Sequence, residues 1–139
     1  MSQNGPNEGS DLGVLESRKL RFDKVEDESV LRLTYSDVFR VRQKKDQPPN
    51  QACRWTVKIG DDLCKDAPLV TDRYDGKSSD VHSAGMISGY CKSVPAGSYD
   101  VSVEVMPRPH ETAYKDPDCY TGWNQSTWSI EVIEYRNVY

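Results

Sequence analysis

The chain has little of what most membrane and reaction chemistries require. No run of roughly 18 apolar residues occurs, so no segment reads as a membrane-spanning helix. Histidine is scarce, with His82 and His110 alone, both in polar surroundings. No GxSxG elbow and no Gly-rich phosphate loop is present. His82 and Ser83 are neighbours, but adjacent strand residues point to opposite faces and cannot act as a base beside its nucleophile. No two cysteines have the CxxC spacing of a zinc knuckle or a thioredoxin site. These absences argue against an enzyme and for a chain without a cofactor. A basic stripe is missing too. The 18 Lys and Arg face 22 Asp and Glu for a net charge of −4, which argues against nucleic acid as a partner. The cluster Arg40, Arg42, Lys44, Lys45 is the local exception, and its alternation reads as the wet side of a strand.

What is present points to β structure. Hydrophobic residues make up 36% and mean hydropathy is −0.76, so the core is lean. Eight Tyr, three Trp and four Cys supply what the aliphatic residues do not. Period-two alternation recurs along the chain. Leu31, Leu33 and Tyr35 alternate with Arg32 and Thr34, and Phe39 and Val41 with Arg40 and Arg42. Trp55, Val57 and Ile59 alternate with Arg54, Thr56 and Lys58, and Tyr99, Val101, Val103 and Val105 with Asp100, Ser102 and Glu104. Trp128, Ile130 and Val132 alternate with Ser129 and Glu131. Each stretch offers one side to bury. Turn residues such as Gly60-Asp61-Asp62 and Pro95-Ala96-Gly97 separate them, as in a sandwich or barrel. Trp55 and Trp128 are expected in the core. Polar segments near residues 71–82 and 107–122 are expected as surface loops. Residues 1–16, rich in Ser, Asn, Gly and acids and without a signal-peptide pattern, are expected as a flexible lead-in to a domain over 17–139. The last strand breaks its own alternation, because Ile133 and Tyr135 are apolar and opposite to Ile130 and Val132. Such a strand is either central or covered by another subunit.

The four cysteines, Cys53, Cys64, Cys91 and Cys119, suit two disulfides in an oxidising compartment. Three connectivities are open, and Cys53–Cys64 with Cys91–Cys119 is the preferred one. Loop carboxylates such as Asp61, Asp62, Asp66, Asp72, Asp75, Asp80, Asp116 and Asp118 have the hard oxygens that calcium takes, but not the EF-hand spacing, so a metal stays undetermined. Asn124-Gln125-Ser126 is an N-glycosylation acceptor. Trp123, in a loop after Gly122, is a candidate partner contact.

The order of several phrases resembles a known family. These are 30–36 (VLRLTYS), 52–59 (ACRWTVKI), 62–64 (DLC), 89–91 (GYC), 94–101 (VPAGSYDV), 120–124 (YTGWN) and 130–134 (IEVIE). In that order the chain resembles the non-collagenous domain of the collagen triple helix repeat-containing proteins. The resemblance implies an all-β, two-sheet jelly roll like the heads of complement and tumour-necrosis-factor-like proteins, assembled as a homotrimer. It also implies a secreted glycoprotein of the extracellular matrix, tied to Wnt–Frizzled signalling, with Asn124 close to the family's own sequon. A trimer would cover Ile133 and Tyr135, at about 1.5–3 kcal/mol for each buried side chain. The chain departs from the family in lacking a Gly-X-Y repeat and the extra upstream cysteines. The function expected is a protein-binding module whose partner is an extracellular protein or matrix component. A calcium- or sugar-dependent lectin on the same scaffold, or a small hydrolase using loop carboxylates, are the alternatives.

Overall fold

The computed structural model describes residues 12–42, 51–65, 68–74, 82–109, 117–123 and 125–136. Among these the chain is all-β, with no helix long and apolar enough to cross a membrane. Two antiparallel sheets stack as a sandwich of the expected jelly-roll class. In sheet A, β1 (Gly13–Lys24) pairs β7 (Gly97–Pro107), and β7 pairs β3 (Ala52–Ile59). The far side of β3 carries β5 (Leu69–Tyr74) and the two-residue β4 (Asp62–Leu63). In sheet B the long β2 (Val30–Arg42) is the spine. One side of it pairs β6 (Ser83–Cys91); the other pairs β9 (Ser129–Tyr135) along residues 30–36 and β8 (Asp118–Thr121) along residues 39–42.

The period-two pattern explains the core. Leu31, Leu33, Tyr35, Phe39 and Val41 of β2 all point inward and are buried. They meet Trp55 and Val57 of β3 and Val101, Val103 and Val105 of β7 from the opposite sheet. Phe39 lies 4.8 Å from the Trp55 ring and 5.9 Å from Tyr35, so the aromatics fill the middle of the lean core. Trp55 Nε1 donates to Thr121 Oγ1 at 2.7 Å, tying β3 of one sheet to β8 of the other. Trp128 is half-buried rather than in the core, and the Arg18 guanidinium lies 4.9 Å over its ring.

Several boundaries differ from the expectation. Strand β1 begins at Gly13, inside the stretch 1–16 expected as lead-in; Gly13 faces Val105 and Val14 faces Glu104. Residues 71–74 close β5 and residues 118–121 form β8, where the sequence leads to an expectation of surface loops. Both strands are short and lack a sustained alternation of apolar and polar residues, and neighbouring strands recruit them despite weak patterns of their own.

The disulfides also differ. Cys53 bonds Cys119 with Cα atoms 6.0 Å apart, and Cys64 bonds Cys91 with Cα atoms 5.5 Å apart. The pairing Cys53–Cys64 with Cys91–Cys119 is excluded by position. Cys53 opens β3 while Cys64 follows β4, which pairs only the far end of β3 at Lys58 and Ile59. Cys91 faces Leu31 and Cys119 faces Val41, at opposite ends of β2. At about 3.3 Å per strand residue, neither pair comes within the roughly 7 Å a bridge tolerates. Each actual bridge joins sheet A to sheet B.

Candidate binding face

The outward surfaces of the two sheets differ in chemistry. Sheet A is lined mainly by charges that neutralise one another, with Val14 of β1 and Tyr74 of β5 as its exposed large apolar residues. Arg21 pairs Asp100 at 3.1 Å, Lys58 pairs Glu104 at 3.0 Å, and Asp72 accepts from Arg54 at 2.8 Å and from Arg108 at 3.1 Å. The Arg54 hydrogen bond, helped by Arg108, outweighs partial burial and holds the Asp72 carboxyl below its usual range. A surface of satisfied ion pairs is at home in water.

Sheet B presents aromatic rings, methionine and arginine instead. The outward residues of β2 include Arg32, Arg40 and Arg42, because they occupy the opposite phase from the core residues. Beside Arg32 stand Tyr90 of β6 and Ile133 of β9. Met86 and Tyr90 are 60% and 55% exposed, large values for such side chains inside strands. Tyr90 and Tyr135 rings are 6.4 Å apart, and with Val30 and Lys92 they line a depression of about 520 Å³. Arg32 hydrogen-bonds the Tyr135 side chain, which raises the guanidinium further. At the other end of β2 the Arg40 guanidinium lies 4.9 Å over the Tyr120 ring and 6.0 Å from Trp123. Burial first, then the hydrogen bond to Asp118, pushes the Tyr120 phenol up.

Trp123 is held rather than loose. Gly122, at φ +81°, donates from its N–H to the Val38 carbonyl at 2.8 Å. The Trp123 N–H donates to Ser126 Oγ at 2.8 Å, and the Ser126 N–H donates back to the Trp123 carbonyl at 2.7 Å. The His82 ring stacks on the indole at 4.0 Å, and Trp123 remains 48% exposed. A rigid, exposed indole beside arginine and tyrosine has the composition of a binding hot spot.

The expected site residues therefore distribute as follows. Ile133 is 36% exposed and points outward from β9, while Tyr135 is half-buried beside Tyr90. Strand β9 is an edge strand and not central: among the described residues it pairs β2 alone. Trp123 sits at the far end of the same face. Asn124, His110, Asp66, Asp75, Asp80, Asp116, Lys44 and Lys45 lie outside the described residues. Among the described residues no three of His, Cys, Asp and Glu are grouped to hold a metal ion.

Two polar sites escaped the sequence. Arg18 of β1 reaches across the sandwich, and its Nε donates to Asp37 Oδ2 at 2.7 Å with both side chains almost fully buried. Tyr35 donates its hydroxyl to the same carboxylate. Burial and then the Asp37 charge push that phenol well above its ordinary value. Asp37 falls in the inward phase set by Leu31 to Val41, a signal that was available. Arg18 lies in an irregular stretch between Val14 and Lys19, where the pairing register shifts and phase carries no information. The second site is Glu134 on β9, whose carboxylate accepts from Ser29 Oγ at 2.6 Å and from the N–H groups of Val25 and Glu26 at 3.0 Å. It faces inward like Ile130 and Val132.

A search of curated proteins finds no match. A family model does match: that of the CTHRC1 C-terminal domain, over residues 1–132. The match covers nearly the whole chain, and the chain belongs to the CTHRC1 C-terminal domain family.

Proposed function

We propose that this chain is a secreted, disulfide-stabilised protein-binding head that assembles as a homotrimer and meets an extracellular protein or matrix component through the outer face of sheet B. The contrast between the two outward surfaces carries the reading. Sheet A is covered mainly by internal ion pairs, with Val14 and Tyr74 its exposed large apolar residues, whereas sheet B exposes Met86, Tyr90 and Ile133, with Trp123 at the end of the same face, among arginines. Interface cores are enriched in aromatic residues, Met and Arg and depleted in paired charge. Ile133 and Tyr135 supply the subunit contact at one end of the face, and Trp123 the partner contact at the other. Arg32 and Arg40, eight residues apart on β2 and thus roughly 26 Å by strand rise, mark the separation of the two ends. Two disulfides suit an oxidising compartment, which supports secretion. A glycan on Asn124 would be attached at the residue that follows Trp123 in the chain. The family's tie to Wnt–Frizzled signalling extends the same proposal to a partner of that class.

Light scattering tests the assembly. A particle holding a multiple of three 15.8 kDa chains is expected at micromolar concentration, and Ile133→Asp is expected to abolish the threefold association. A wild-type protein that stays monomeric sinks the trimer. Trp123→Ala should keep the chain number and lose the partner.

A further inference from the structure

Natural sheets guard their free edges with charge, proline or a bulge, because an edge of unsatisfied N–H and C=O groups recruits another strand. Three edges of this sandwich follow that rule. Strand β1 carries Lys19, Arg21 and Asp23 and an irregular register between Val14 and Lys19. At the opposite edge of sheet A, β4 and β5 carry Asp62, Asp72 and Arg73. Strands β8 and β9 carry Asp118, Glu131 and Glu134. The fourth edge is β6. Its nine residues, SAGMISGYC, include no charge and no proline. The register with β2 runs without a shift from Leu31↔Cys91 to Phe39↔Ser83, so no bulge bends it away. Among the described residues β6 pairs β2 alone. The Cys64–Cys91 bridge anchors one end of the strand.

We infer that β6 is a strand-addition site and that its occupant is β6 of a second copy of this chain, paired antiparallel about a two-fold axis. The strand is complementary to itself. In the register centred on Ile87 all nine residues pair, with Ser83 facing the second copy's Cys91. On the outward side each large residue then meets a small one: Met86 faces Ser88 and Tyr90 faces Ala84 of the other copy. Two chains that each carry a net charge of −4 meet along a seam with no charge on either side. The inner side is already closed, since Leu69 and Arg73 of β5 fill the space beneath Gly89 and Gly85, so the addition extends sheet B without opening the core. Met86 and Tyr90, the most exposed large apolar residues on the outer face of sheet B, lose that exposure.

The seam's backbone edge lies across β2 from β9, although Tyr90 of β6 approaches Tyr135 over β2 with rings 6.4 Å apart, and chain number separates the seam from the trimer proposed above. Two chains per particle in the wild-type protein supports the seam alone. Six supports seam and trimer together. Three overturns the seam and leaves the trimer standing, and one overturns both. Met86→Lys/Ser88→Lys sets lysines directly opposite lysines across the seam, and is expected to halve the chain number with an unchanged circular dichroism spectrum. Met86→Lys/Ser88→Glu sets each lysine opposite a glutamate and is expected to restore it. Equal chain numbers in all three proteins overturn the inference. Should the double-lysine protein not fold, amide exchange of the wild-type decides: protection along β6 that falls on dilution is expected, and exchange as fast as that of an open edge at every concentration overturns the pairing.

Discussion

Asp37 is the residue on which the polar interior turns. It sits in the inward row of β2, between Tyr35 and Phe39, where an apolar side chain belongs. Its carboxylate is kept there by Arg18 from the opposite sheet, by the Tyr35 hydroxyl and by the Val38 N–H at 2.8 Å. Removing one partner of a buried ion pair leaves the other charge uncompensated. Asp37→Ala is expected to cost about 3–5 kcal/mol in urea unfolding, and Arg18→Met/Asp37→Leu to recover most of it; equal stability of wild-type and Asp37→Ala would contradict the account. Glu134 is the acid-sensitive counterpart. Partial burial works to raise its carboxyl, but the Ser29 hydroxyl and the N–H groups of Val25 and Glu26 outweigh burial and hold it at about 2, below the ordinary 4.5. A depressed carboxyl stabilises the fold above its unfolded value and loses that contribution as pH falls through its folded one. The Glu134 contribution is therefore complete above about pH 5 and gone near pH 2. Unfolding curves across that range should fall less steeply in Glu134→Gln than in wild-type, and parallel slopes would show that the clamp carries no proton-linked stability.

At the scale of elements, β6 shows how a strand with little side-chain mass of its own is accommodated. Its inward positions include Gly85 and Gly89, and β5 fills the space they leave. A Cβ at Gly85 would stand 2.3 Å from Arg73 Nη2 and 2.8 Å from the Phe39 ring. Phe39 is fully buried between Tyr35 and Trp55 and has no room to retreat. Gly85→Ala is expected to cost about 1–3 kcal/mol by overpacking, whereas the outward Ser88→Ala should stay within about 0.5 kcal/mol. Equal midpoints for the two variants would mean that β5 and β6 do not interlock as described. The same glycines hide β6 from a search for alternating hydrophobics, since glycine is strand-poor in propensity and contributes nothing to a pattern.

For the whole molecule, the disulfides act as two rivets between layers. Cys53–Cys119 lies at the Val41 end of β2 and Cys64–Cys91 at the Leu31 end. The first closes a sequence separation of 66 and the second one of 27. In the chain-entropy model the longer closure stabilises by about 0.8 kcal/mol more. Cys53→Ser/Cys119→Ser is expected to lower stability by about 2–5 kcal/mol, and by more than Cys64→Ser/Cys91→Ser does. Non-reducing peptide mapping should recover the same two bridges; a Cys53–Cys64 peptide would refute the arrangement of the sheets.

Much of this protein is legible in the linear chain. Alternation across Leu31 to Val41, Trp55 to Ile59 and Val101 to Val105 gives strand identity and burial together, because side chains in a strand repeat every two residues and need no partner to do so. The order of cysteines and of the YTGWN phrase was enough to indicate the family that the model of the CTHRC1 C-terminal domain matches. Pairing between distant segments was not legible. Which cysteine meets which, that Arg18 finds Asp37, and that residues 71–74 and 118–121 become strands all depend on contacts across 16 or more positions of chain. Local periodicity states which way a side chain points; what stands opposite it is set by how the two sheets stack.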